Sequence, residues 1–246
     1  MSKGEKRKSP ARGGRIALIA GIVVVLVVVA LFVMPRLLYS LRGGEAQGTE
    51  TSDGQTGGGV TLPLGLEDGK LLLENVLQFD GINPDCNNES GSNIAAISLT
   101  NQSDTYLRQA EISVTTADGT VLHFAAADVP AGKSIMAFAT DNTSLQTGAV
   151  VADVTCQAEF DPDASLNTGL VETTVDGTRI TVKNMADTAL ENLVVYCHCT
   201  LGDQYFGGIA YSYMINTLAV GETAELDAAD CILGLAEVVR ITVNEP

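Results

Sequence analysis

From Val60 onward the chain is written in short runs that alternate apolar and polar residues and favour β-branched side chains. A period of two places successive side chains on opposite faces of a strand. The pattern predicts strands at Lys70–Phe79, Ile94–Asn101, Leu107–Thr116, Thr120–Phe124, Ser134–Ala139 and Val150–Phe160. A second set follows at Val171–Val175, Thr178–Asn184, Leu190–Leu201, Gln204–Tyr213, Thr223–Leu226 and Val238–Val243. Asp80-Gly81, Asp118-Gly119, Asp176-Gly177 and Gly207-Gly208 punctuate these runs as turns. Only Ser144–Gly148 and Ala228–Glu237 leave room for a helical turn. Closely spaced strands without intervening helices predict sandwiches rather than a parallel sheet.

The other pattern is at the start. Ile16–Met34 is a run of 19 residues without a charge, close to the ~20 that cross a bilayer as a helix. It is longer than the apolar core of a signal peptide, and no Ala-x-Ala follows it. The expectation is an uncleaved signal anchor, a cleaved signal peptide being the alternative. Six Lys and Arg precede the run within residues 1–15, and only Arg36 and Arg42 follow it before the acidic region begins. The positive-inside rule then puts the N-terminus in the cytoplasm and the C-terminal part outside a plasma membrane crossed once.

An internal repeat organises the β region. ISLTNQSDTYLRQAEISV (97–114) aligns without a gap on ITVKNMADTALENLVVYC (180–197), with Asn101, Asp104, Thr105 and Leu107 matching Asn184, Asp187, Thr188 and Leu190. Further on, DVPAGKSI (128–135) aligns on TLAVGETA (217–224), Gly132 falling on Gly221. The offset grows from 83 to 89 residues, which implies a hairpin lengthened around Gly202–Ser212 in the second copy. The expected organisation is a basic tail (1–15), a transmembrane helix (16–34), a linker (35–59) and two β-sandwich domains (60–162 and 163–246). Within the linker, GGEAQGTETSDGQTGGG (43–59) has the composition of a flexible tether.

The Asn-x-Ser/Ala-Asp turn, the alternating strand after it and the Gly-Lys/Glu-Ser/Thr turn resemble small immunoglobulin-like β-sandwich modules. They are similar to the FxLYD-type domains found on membrane-anchored surface proteins of Gram-positive bacteria. SVTTADG (113–119) and CHCTLGD (197–203) stand where that group carries its aromatic-x-Leu-Tyr-Asp element. The resemblance covers about residues 90–246 and implies a non-catalytic module. The predicted fold class is therefore all-β, two tandem Ig-like β-sandwich domains preceded by one N-terminal transmembrane helix.

Charge sharpens the picture of partners. Residues 1–42 carry a net +7 and residues 43–246 a net −23, giving −16 overall. So acidic an exported part repels nucleic acid and anionic headgroups. The expected partner is another envelope protein or a surface ligand, with no nucleic acid.

Candidate chemistry centres on Cys197-His198-Cys199. In a strand the two cysteines share a face with Leu193, Val195 and Leu201, and His198 turns the other way with Val194 and Tyr196. Alignment with Ala110, Ile112 and Val114 makes the cysteine face the buried one. Neighbouring cysteines on one face stand about 7 Å apart, too far to bond each other. No second Cys pair with zinc spacing exists, so no metal or redox cofactor is expected. The five cysteines predict Cys86 with Cys156 in the first copy and Cys231 with Cys199 or Cys197 in the second. The odd thiol is a possible bridge between two chains. His123 and His198 lack a nucleophile motif, so no enzyme is expected. Two oxygen-rich loops offer a minor calcium option at Asp80, Asp85, Asp161 and Asp163. Asn88, Asn101 and Asn142 head glycosylation acceptor sequences.

Overall fold

The computed structural model describes residues 59–162, 165–231 and 235–243. The predicted basic tail, the anchor Ile16–Met34, the tether up to Gly58 and Asp163 lie outside them. Among the described residues no helix is long and apolar enough to cross a membrane.

Fourteen strands form: β1 (Leu64–Leu66), β2 (Leu71–Asn83), β3 (Glu89–Asn101), β4 (Tyr106–Thr116), β5 (Val121–Val129), β6 (Ser134–Phe138) and β7 (Val151–Asp161) in the first half. The second half holds β8 (Val171–Asp176), β9 (Arg179–Asn184), β10 (Leu190–Leu201), β11 (Gln204–Phe206), β12 (Tyr211–Leu218), β13 (Thr223–Asp227) and β14 (Leu235–Thr242). The described residues are all-β, in several sheets. Three sequence expectations change: Asp80-Gly81 is not a turn but a bulge within β2, which runs on to Asn83. The predicted strand Gln204–Tyr213 is split by Gly207 and Gly208 into β11 and β12, and neither Ser144–Gly148 nor the described part of Ala228–Glu237 is helical. Among the described residues the one helical turn is 3-10, at Glu67–Gly69.

The repeat in sequence is a repeat in topology. In the first half β3 lies between β2 and β6, and β4 between β5 and β7. In the second half β9 lies between β8 and β13, and β10 between β12 and β14. The matched asparagines explain the recurrence. Asn101 Nδ2 donates to the carbonyls of Thr105 and Val129, both at 2.9 Å, and Asn184 Nδ2 donates to those of Thr188 and Leu218 at the same distance. Each side-chain oxygen then accepts an amide two residues on, from Ser103 or Ala186. One buried amide side chain thus closes the turn after the strand and ties it to the next hairpin. Gly132 and Gly221 complete the motif with φ of 73° and 71°, a region costly for other residues.

β11 has no counterpart in the first half. It occupies the lengthened hairpin of the second copy, pairs with β10 behind it and runs parallel to β6 of the first half. Through it a sheet of the first half and a sheet of the second become one, in the order β1-β2-β3-β6-β11-β10-β12. The two cores therefore share walls. The first takes Tyr205 and Val239 from the second half, and the second takes Ile94, Ala96 and Phe138 from the first. β3 shows why: Ile94 to Leu99 are all buried, odd positions facing one core and Ile94 and Ala96 the other. The near-continuous apolar run IAAI was the trace of this double burial in the sequence.

Candidate functional site

The lengthened hairpin meets the first half at Asp85, in the turn between β2 and β3. Its carboxylate accepts the amide of Gly208 at 2.8 Å on both oxygens, the amide of Ile209 at 3.3 Å and that of Phe138 on β6 at 2.8 Å. One side chain thus grips backbone from both halves. The approach is close enough to demand glycine: a Cβ on Gly208 would run into the Ala125 carbonyl oxygen, and one on Gly207 would stand 3.0 Å from Pro84. Gly207 also has a φ of 99°. Gly208 in turn accepts the Ala127 amide at 2.8 Å, and Gly207 donates to Met136 at 2.9 Å. Burial lifts the Asp85 carboxyl to about 6, outweighing the three amides that favour its charged form.

His198 lies further along the same seam. Strand alternation correctly separates it from the cysteines, but its face is not outward: His198 is fully buried, because β5 and β11 cover that side of β10. Nε2 lies 2.8 Å from the Ala127 carbonyl, so this nitrogen carries the proton, and the ring stacks on Tyr205 with centroids 4.5 Å apart. Nδ1 is buried without a hydrogen-bond partner. Burial pushes the imidazole below its ordinary value, outweighing the Ala127 carbonyl and the nearby carboxylates of Asp128 and Glu237.

Two ion-pair clusters flank the ring. Asp128, buried at the end of β5, accepts from Arg240 Nε at 2.9 Å, Tyr106 at 3.0 Å and Arg108 at 3.3 Å. Arg240 also lies over the Tyr196 ring, 3.7 Å from its centroid. Glu237 accepts from Lys133 at 2.8 Å and Tyr205 at 2.9 Å. In both clusters a carboxylate or cation of one half is answered from the other. A buried charge left without its partner costs several kcal/mol, so the buried Asp128–Arg240 pair fixes which surfaces of the two halves meet, while the half-exposed Lys133–Glu237 pair adds little.

The cysteines divide differently from the expectation for the first half. Cys199 bonds Cys231 with a Cα separation of 5.1 Å, which resolves the choice between Cys199 and Cys197. Cys86 and Cys156 do not pair. Cys86 sits in the β2–β3 turn, while Cys156 is halfway along β7, opposite Ile112 and beside Glu67. Two positions within one copy fall on different sheets, a separation that sequence distance cannot show. Cys197 is a buried free thiol of the second core; burial first, then Asp230, pushes it up to about 12.

The remaining candidates scatter. His123 stands on the outer face of β5, its Nδ1 3.0 Å from Ser113 Oγ, over a hollow of about 210 Å³. Ser113 lies on β4, which is laddered on both edges, so its neighbouring amides are committed and offer no oxyanion hole. Asp80 accepts the Asn93 amide at 2.7 Å, and the oxygens of Asp85 face amides. Asp161 ends β7, distant in the ladder from that turn. Among the described residues no three Cys, His, Asp or Glu side chains gather as metal ligands. Asn101, an acceptor sequence by pattern, is buried and fully engaged.

No known family model and no curated relative matches this chain. The seam carries the concentration of buried polar chemistry, and what its groups do is hold: each donor or acceptor named at Asp85, Asp128 and Glu237 bridges backbone or side chains of the same protein. Sequence reasoning missed Asp128, Glu237, Arg240 and Tyr205 because isolated charged and aromatic residues in alternating strands read as solvent-facing. The longer hairpin and the Gly207-Gly208 pair, read from sequence only as a hairpin and a turn, were the signals that could have found the seam.

Proposed function

We propose that the protein is a membrane-anchored, non-catalytic surface module whose two Ig-like β-sandwiches act as one stiff spacer, presenting its outer loops away from the cell. The observation that carries this reading is the seam. β11 continues the sheet across it and Asp85, Asp128 and Glu237 bridge it, an arrangement suited to transmitting position rather than to turnover. Function on such scaffolds resides in the loops. The apolar run Ile16–Met34 and the basic residues before it support a single-pass anchor with the β region outside. Protease added to intact cells is expected to release a folded fragment beginning near Gly43; protection of the whole chain sinks the topology.

A second reading, an accessory subunit docked onto a larger membrane assembly, draws on one end of the second half. Leu170, Met185 and Val220 are 36%, 52% and 58% exposed there. The Met185–Leu170 and Asn184–Glu222 backbone bonds bring their segments together. Crosslinking of the intact membrane protein separates the two readings, since a spacer is expected to run alone and a subunit with its partner.

A further inference from the structure

The repeat has one side that is closed in the first half and open in the second. β12 stands where β5 stands in the first half, and β13 where β6 stands. In the first half that side is covered from the second: β11 pairs with β6, and the Gly208 carbonyl accepts the Ala127 amide of β5. Among the described residues β12 pairs with β10 alone, and no backbone–backbone bond outside that ladder involves Tyr211–Leu218. An unpaired strand edge is a row of amides and carbonyls that another strand can complete. We propose that β12 is a self-docking edge: two copies of this chain pair there antiparallel about a two-fold axis at Met214, so that β10 and β12 of each copy continue one sheet.

The composition of β12 selects a second copy as the occupant. YSYMINTL (211–218) holds no charge, Gly or Pro, although residues 43–246 carry a net −23. Edge strands are ordinarily guarded by charge, proline or a bulge. β7, which pairs with β4 alone, is guarded: turned antiparallel on itself about Cys156, it sets Asp153 against Glu159. β13 is guarded as well, because the same operation about its centre puts Glu225 on Glu225. Like charges directly opposite oppose pairing. β12 turned about Met214 meets itself with Tyr211 on Thr217, Ser212 on Asn216 and Tyr213 on Ile215, and none of these is charged. A two-fold interface needs a surface complementary to itself, and this edge meets that condition. A charged foreign strand would find no countercharge on it.

Met214 sets the register. Ser212, Met214 and Asn216 alternate onto the outer face, and Met214 is 65% exposed, more than any other large apolar side chain among the described residues. The two-fold lays one Met214 against the other, with Cβ atoms about 4.5–5.5 Å apart. Val194, opposite Met214 on β10, lines the same patch in each copy. On the inner face the Tyr213 hydroxyl donates to Asp230 at 3.0 Å, which holds the edge in place before it pairs. The pairing goes beyond the spacer reading. It joins one spacer to another without a foreign partner, so its crosslinked product has twice the mass of the chain.

The test uses the full chain in neutral detergent, with exposed thiols alkylated, at about 0.15 M salt to screen the acidic surfaces. Analytical ultracentrifugation is expected to show the protein mass rising from one chain to two with concentration. Met214→Lys sets two cations side by side at the axis and is expected to weaken association by at least about 10-fold. The register is read by disulfide trapping in chains that carry Cys86→Ser and Cys156→Ser. Under mild oxidation Met214→Cys is expected to form a covalent dimer. Ser212→Cys is expected to form one only when mixed with Asn216→Cys. A chain that stays monomeric to about 1 mM, a dimer that survives Met214→Lys, or Met214→Cys trapping no better than Ser212→Cys overturns the proposal. Should the serine background fail to fold, the ultracentrifuge comparison of the natural chain with Met214→Lys decides it alone.

Discussion

Asn101 and Asn184 are the residues on which the repeat turns. Each donates two hydrogen bonds to carbonyls and accepts an amide while almost wholly buried. Replacing either by Ala strands those backbone groups without water. The expected loss is about 2–4 kcal/mol, read as a lowered denaturant midpoint with unchanged slope, whereas a change under 0.5 kcal/mol would show that water takes over the bonds. Gly208→Ala belongs to the same scale but fails for another reason, because its methyl would collide with the Ala125 carbonyl. That variant is expected to loosen the hairpin from the first half and speed exchange of the Phe138 amide, while leaving the Asn184 motif protected. Thiol reactivity follows burial: Cys86 is expected to label first with a maleimide, Cys156 more slowly and Cys197 only on unfolding. Rapid native labelling at Cys197 would falsify its place in the core.

At the scale of elements, β11 is an insertion that became a joint. Replacing Asp203–Ile209 by a short turn like the first copy's four-residue connection between β4 and β5 (Ala117–Thr120) removes the parallel pairing with β6 and the amide donors of Gly208 and Ile209 to Asp85. The expected result is two folded halves that melt in two steps, whereas the natural chain is expected to melt in one; a single transition in the variant would mean that Asp128–Arg240 and Lys133–Glu237 couple the halves unaided. The Cys199–Cys231 bond closes a separation of 32 residues between β10 and the loop before β14. Its reduction is expected to cost about 3–4 kcal/mol by the chain-entropy argument, seen as a fall in melting temperature in reductant. Strand positions and the burial of the cysteine face were readable from local period. The environment of His198 was not, because the side opposite the cysteines is covered by β5 and β11 rather than by any neighbour in β10.

For the molecule as a whole, the net −23 on residues 43–246 implies self-repulsion that salt screens over a Debye length of about 8–10 Å. Melting temperature is expected to rise from low salt to about 0.15 M sodium chloride; a fall would show that the ion pairs at the seam outweigh surface repulsion. The acidic balance, the apolar run at Ile16–Met34, the repeat and its lengthened hairpin are all properties of sequence alone, since composition and a period of two depend only on neighbours along the chain. The seam is not of that kind. Asp85 reaches Gly208 across 123 residues and Arg240 reaches Asp128 across 112. Whether Cys86 meets Cys156, or His198 meets water, depends likewise on which sheet lies opposite. Sequence determined two copies of one β unit and an insertion between strands. Tertiary structure decided that the insertion joins them, because a charge can be buried only where another part of the chain supplies its partner.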